Sequence, residues 1–213
     1  MLRTGGPSTT EQLGPSAGAD RRMSALEAIA GRTSVRSFQY REVEDALLLG
    51  FLKAAVRAPI ALERETWAFL IVQDRVLLRT ISNRAKDLWA AEAQSRGVPS
   101  ANRGGGAGEH GDAERSIFHN AGTLVVVGAR SNDPYADAEC WLAAENLMIA
   151  ATALGLGTCL VGAAVSALSD PSIRSALGVS PAFRPIVPIV VGYPRDRPTP
   201  KVRRDPDIVA WRR

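Results

Sequence analysis

Cysteine is nearly missing from this chain: there are two in 213 residues, Cys140 and Cys159. They stand far apart, with neither a CxxC nor any metal-ligand spacing, and a chain of this length needs no cross-link to hold its core. A disulfide scaffold and a thiolate metal centre are thereby excluded, and both side chains are expected to be buried thiols in a reducing cytoplasm. Histidine is as scarce. His110 and His119 have no second ligand at metal-binding spacing, so no metal site is expected. No HExxH and no Ser-His-Asp arrangement is visible, which leaves simple hydrolysis without machinery and names no catalytic side chain. Long hydrophobic runs are absent too. The richest stretch, residues 141 to 165, is interrupted by Glu145 and Asn146, so no membrane span is expected, and the N-terminus has no apolar signal core. Lysine is confined to Lys53, Lys86 and Lys201 among 26 basic residues. Arginine is the default cation, and chance arginine pairs are common.

What is present is ordinary for a globular domain: 46% hydrophobic and 23% charged residues. The net charge of +4 is spread among interspersed acids and bases, so a small anionic ligand accounts for it as well as nucleic acid does. The arginine clusters lack interleaved aromatics on one face, which argues against nucleic acid. Residues 1–22 are rich in Gly, Pro, Ser and Thr, cannot offset the entropy of ordering, and are expected to form a disordered tail before a single domain over 23–213.

Local signals divide that domain. Ser24 and Glu27 make a capping box before a short helix ending near Gly31. Leucines at helical spacing predict a helix over about 44–57, stopped by Pro59, and Ala68 to Val72 reads as a strand followed by a helix over about 76–94. Residues 96–112 are too glycine-rich for regular structure and read as a loop, with a short helix over about 113–119. TLVVVGA, residues 123–129, suits a strand buried on both faces. A long apolar helix over 135–154, a strand over 158–161, a helix begun by Asp170-Pro171 and a last strand over 186–193 complete an α/β or α+β pattern.

Three stretches carry chemistry. GRTSVRSF (31–38) sets Arg32 and Arg36 around Thr33 and Ser34, either an oxyanion clamp of forked guanidiniums and short hydroxyls or a solvated turn. GLGTCLVG (155–162) has the wrong spacing and element order for a dinucleotide fingerprint. Gly155 or Gly157 fits a left-handed helix cap, while Gly162 at a strand end would let a flat ligand approach its backbone. Lys201, Arg203 and Arg204 follow a proline-rich exit. Between the second helix and the first strand lies APIALERETW (58–67), a charged loop ending in tryptophan at the mouth of a buried strand.

In order, RTSVRSF, the AP…W-x-F-x-x-V-x-D stretch (58–74), AECWLAAENLMIAATALGLGTCLVG (138–162) and VGYPRDRP…KVRR (191–204) resemble the FMN-dependent nitroreductase family over roughly residues 23–211. The resemblance implies an α+β three-layer sandwich, a mainly antiparallel sheet flanked by helices, in an intertwined homodimer with FMN at the subunit interface. By position, it implies that Arg32 and Ser34 bind the ribityl phosphate with Thr33 beside them, and that Arg36 lies near the pyrimidine edge. Arg203, with Lys201 or Arg204, would close on the phosphate. Pro59, Ile60 and Ala61 would lie along the flavin from the partner subunit, and Val161 and Gly162 would back the ring. NADPH or NADH would supply hydride for a nitro compound or quinone. Where better-known members carry Ser, Asn and Gln-Pro-Trp, this loop has Ile60, Glu63, Glu65 and Thr66. Glu63 and Glu65 are therefore assigned to the substrate side. The same resemblance admits a specialised flavin oxidase or dehydrogenase, or a non-catalytic flavin-binding partner protein.

Overall fold

TLVVVGA sits where its unbroken apolar run requires, at the centre of a sheet with both faces covered. The computed structural model describes residues 23–61, 65–95, 116–196 and 198–213. Within them β1 (Trp67–Val72), β2 (Thr123–Ala129), β3 (Gly157–Leu160) and β4 (Arg184–Gly192) form one sheet in the order β1-β2-β4-β3, every pairing antiparallel. The six helices are α1 (Ala25–Gly31), α2 (Asp45–Ala55), α3 (Arg75–Ser95), α4 (Ala136–Ala153), α5 (Ala164–Ser169) and α6 (Pro171–Ala176).

Strand alternation sorts the core into two clusters. Val125, Val127 and Ala129 of β2, with Val187, Ile189 and Val191 of β4, face Leu48 and Phe51 of α2 and Cys140, Ala143 and Leu147 of α4. Leu124, Val126 and Val190 face the other way, onto Leu78 and Ile81 of α3, Ala167 of α5 and Ile173 of α6. The result is helix, sheet, helix: an α+β three-layer sandwich. Where β2 and β4 slip register at Val127/Gly128, a Cβ on Gly128 would stand 2.4 Å from the Arg184 carbonyl oxygen, so only glycine lets the strands pass so closely.

The predicted elements recur with small shifts. The Ser24 capping box forms, with the Glu27 N–H donating to Ser24 Oγ and the Ser24 N–H to Glu27 Oε2. Asp170 caps α6 ahead of Pro171. Gly155 is the left-handed residue after α4, at φ 77°, while Gly157 belongs to β3 instead. Two readings change. Residues 117–120 are turns rather than the end of a helix, because His119 and Asn120 adopt left-handed backbone that cannot continue one. The six-residue α5 was not anticipated; it is too short for its periodicity to register. The expected tail, the loop over 96–112 and His110 lie outside the described residues. Among the described residues no helix is long and apolar enough to cross a membrane, and no group of His, Cys, Asp or Glu could hold a metal.

Candidate functional site

The segment after α1 runs as a strap along the outer edge of β3. Ser34 bridges Thr158 in parallel, the Val35 N–H donates to the Thr158 carbonyl at 2.9 Å, and Phe38 bridges Pro194. Val35 and Phe38 are the buried residues of this strap, which leaves Ser34, Arg36 and Ser37 exposed and Thr33 half-buried. Gly157 is what lets the strap dock. A Cβ there would meet Val35 Cγ2 at 2.7 Å and Val35 Cβ at 2.8 Å.

A cavity of about 220 Å³ opens on the strap, lined by Thr33, Ser34, Arg36 and Ser37 on one side and by Asp196, Thr199 and Lys201 on the other. Two regions at opposite ends of the chain thus meet around hydroxyls and two cations. Arg32 does not line this cavity. Its Nε lies 3.5 Å from Glu145 Oε1 on α4, with the guanidinium side chain 22% exposed, so the carboxylate orients it next to the strap.

Beyond the strap the edge of β3 is open. The Val161 N–H donates to the Pro188 carbonyl at 2.9 Å, so by strand alternation the Leu160 amide turns away from β4, and Gly162 follows in the turn that leads into α5. Val161 is buried, Gly162 is exposed, and a Cβ at Gly162 would meet nothing within 4 Å. The strap, the cavity and this bare backbone together can accept a flat molecule with an anionic tail.

The loop 58–67 is held elsewhere on α4. Glu139, only 2% exposed, accepts the Ala61 N–H at 2.8 Å and the Thr66 hydroxyl at 2.5 Å. Pro59, Ile60 and Ala61 are exposed, and Trp67 is buried at the start of β1, paired with Ala129. Glu65 is exposed; Glu63 lies outside the described residues. Glu139 and Glu145 are six residues apart on α4, roughly 9 Å along the axis and on different faces. The loop and the Arg32 strap of one chain therefore stand on different sides of that helix. Glu139 was not singled out from the sequence, where an acid in a long apolar helix reads only as an interruption.

Lys201, Arg203 and Arg204 lie on a C-terminal arm, 198–213, in which every residue is exposed. Val202 is 100% and Trp211 71% exposed. Only Lys201 of the three cations lines the cavity.

Helices on both faces of an antiparallel sheet, with a strap docked along its β3 edge, define an α+β sandwich with a cavity at that edge. The family model for the nitroreductase family matches residues 29–193, and the chain belongs to that family. A protein of Methanothermobacter thermautotrophicus, provisionally named an NADH dehydrogenase/NAD(P)H nitroreductase, is 28% identical over 194 residues, 88% of this chain and 86% of the relative. The iodotyrosine deiodinase of Thermotoga neapolitana is 27% identical over 191 residues, 84% of this chain and 93% of its own. Among solved structures, a nitroreductase from Bacteroides fragilis with bound FMN superposes with a TM-score of 0.72 at 26% identity, covering 88% of this chain and 98% of that one.

Proposed function

We propose that this nitroreductase-family protein is an FMN-dependent oxidoreductase of the cytoplasm, working as a homodimer. It passes hydride from NADPH or NADH to a small conjugated acceptor such as a nitro compound or quinone. The observation that carries the reading is the strap beside the open end of β3, where hydroxyls and cations stand next to a strand edge without side-chain cover at Gly162.

These residues fit FMN. Arg32, Thr33 and Ser34 would hold its phosphate together with Lys201 and with Arg203 or Arg204 from the C-terminal arm, since forked and short donors suit phosphate oxygens. Val161 and Gly162 would back the ring. When bound, FMN supplies the hydride chemistry. Arg36 would place positive charge at the pyrimidine edge, where negative charge gathers on reduction and where shielding from water strengthens the attraction. Glu63 and Glu65 would stand on the substrate side.

Homodimerisation is supported by what one chain leaves uncovered. The cavity of about 220 Å³ falls below the roughly 300–1,000 Å³ usual for ligands of this size, which supports its completion by a second copy. On α4, Ala138, Trp141, Leu142 and Glu145 form an exposed stripe at helical spacing, three of them apolar. Val202 and Val209 on the C-terminal arm are almost fully exposed, and Ile208 and Trp211 largely so. Intertwined copies would bury both, and would bring Pro59, Ile60 and Ala61 of one chain to the strap of the other.

The deciding experiment is the visible spectrum of purified protein, followed by anaerobic stopped-flow. A flavin spectrum that bleaches rapidly with NADPH or NADH supports the reductase. Bleaching only by an organic substrate would favour a specialised oxidase or dehydrogenase, and flavin that nothing reduces would favour a non-catalytic partner protein. Colourless protein that takes up no FMN on reconstitution refutes the cofactor itself.

A further inference from the structure

A second cavity, of about 230 Å³, lies between α3 and the segment that leads into β2, and its lining shares no residue with the strap cavity. Arg75, Arg79, Asn83 and Lys86 recur along α3 at spacings of four, four and three, which puts them on one face of the helix, and all four line it. Ser116 and Asn120 close the opposite wall, with Leu78 and Phe118 below. Among the described residues three cations line this space and no carboxylate does.

The walls are fixed before any ligand arrives. The Ile117 N–H donates to buried Ser82 Oγ at 3.1 Å, which ties the facing segment to α3. His119 and Asn120 are held in left-handed backbone, at φ 54° and 65°, a costly conformation for residues other than glycine, and Asn120 is thereby set in the cavity wall. Arg75 is positioned from two sides, with its guanidinium 3.9 Å from the Tyr40 ring centroid and its Nε 4.0 Å from Glu42 Oε1. Arg75 and Arg79 are a like-charge pair one turn apart, an arrangement that costs a helix stability unless an anion lies between.

We propose that this cavity is a second ligand site, for a small polyanion of the phosphate class. Forked guanidiniums and two carboxamides supply donors of the kind that phosphate oxygens accept. The volume suits a diphosphate or a small phosphorylated metabolite rather than a whole dinucleotide. The site does not depend on the flavin assignment.

The test is calorimetric titration of the purified full-length protein, saturated with FMN so that the strap is occupied, with inorganic pyrophosphate at low ionic strength. Saturable binding of one pyrophosphate per chain is expected, weakened tenfold or more in an Arg79→Gln/Lys86→Gln double variant whose flavin content and thermal midpoint match wild type. Arg79→Glu, a reversal at an exposed position, serves if the double variant folds poorly, and should weaken binding at least as much. ADP in place of pyrophosphate separates the sources: equal or tighter binding, lost in the same variants, indicates a nucleotide, and exclusion of ADP indicates a free diphosphate. No saturable binding to wild type, or unchanged affinity in the variants, overturns the proposal.

Discussion

The carboxylate of Glu139 accepts the Thr66 hydroxyl at 2.5 Å, and its other oxygen accepts the Ala61 N–H at 2.8 Å. One buried side chain in the first turn of α4 therefore fastens both the start and the end of the 58–67 loop, where the helix dipole also favours a negative charge. Replacing Glu139 with Ala orphans the buried Thr66 hydroxyl and leaves the exposed Ala61 N–H to water, so a loss of roughly 1–3 kcal/mol is expected in urea unfolding. Glu139→Gln keeps one acceptor for Ala61 and should lose clearly less. Equal losses in the two variants would contradict the role of the carboxylate.

Gly162 and Gly157 should separate cofactor binding from folding. A Cβ at Gly162 meets nothing in the chain, so Gly162→Val should unfold at the wild-type midpoint yet lose FMN affinity at least tenfold. A Cβ at Gly157 collides with the stiff Val35 side chain, so Gly157→Ala should lower stability by about 1–3 kcal/mol as well as flavin retention. Flavin titration and thermal melts of both variants check this; full flavin content in Gly162→Val would remove the ring from that strand edge.

Arg32→Ala and Arg203→Ala are each expected to release FMN during purification and dialysis. Glu145→Gln frees Arg32 from its ion pair and should change flavin affinity far less than loss of the guanidinium. Unchanged retention in both arginine variants would contradict the phosphate assignment.

Asp170 joins α3 to α6. Its Oδ1 accepts the Ser172 N–H at 2.9 Å and the Ser172 hydroxyl, and its Oδ2 accepts the Arg84 Nε–H at 2.9 Å. The Ser172 hydroxyl first, and Arg84 second, hold its carboxyl down at about 2. A depressed carboxyl stabilises the fold above its unfolded value near 4 and loses that contribution as pH falls toward 2. Asp170→Asn should therefore unfold at lower urea than wild type at pH 7, and the gap should narrow below pH 4. A pH-independent gap would count against this linkage.

Both thiols should resist modification in the native protein. Cys140 and Cys159 are buried, and desolvation, with Asp137 adding to it, pushes the Cys140 thiol up to about 12. At pH 8 roughly one Cys140 in ten thousand is thiolate, the reactive form. Alkylation by iodoacetamide, read by mass spectrometry, should appear only after denaturation; rapid native labelling of Cys140 would show that it is accessible.

Much of the sandwich could be read locally. Ser24 with Glu27, Asp170 with Pro171 and the Gly155 stop mark element ends because capping involves neighbours in sequence. TLVVVGA announced a strand covered on both faces because no residue in it could face water. The strap motif offered a clamp or a solvated turn, and the structure brings Thr33, Ser34 and Arg36 together with Lys201 around one cavity. Other features had no local signature. His119 and Asn120 turn left-handed in a segment that looked helical, and α5 is shorter than two turns.

By itself the sequence determined most of the strand and helix order and the ends of several elements, since each follows from neighbours a few positions apart. Tertiary structure alone decided the partners: Glu139 for Thr66 and Ala61, Glu145 for Arg32, and the facing segment that closes a second cavity over the α3 cations. Those contacts join residues 78 positions apart in the case of Ala61 and Glu139, and further apart still in that of Arg32 and Glu145. Periodicity reports which face of a helix is buried, and says nothing of which distant donor will arrive there. The charges written into the 58–67 loop drew attention in the sequence, but the charge that holds the loop comes from a helix that reads as apolar.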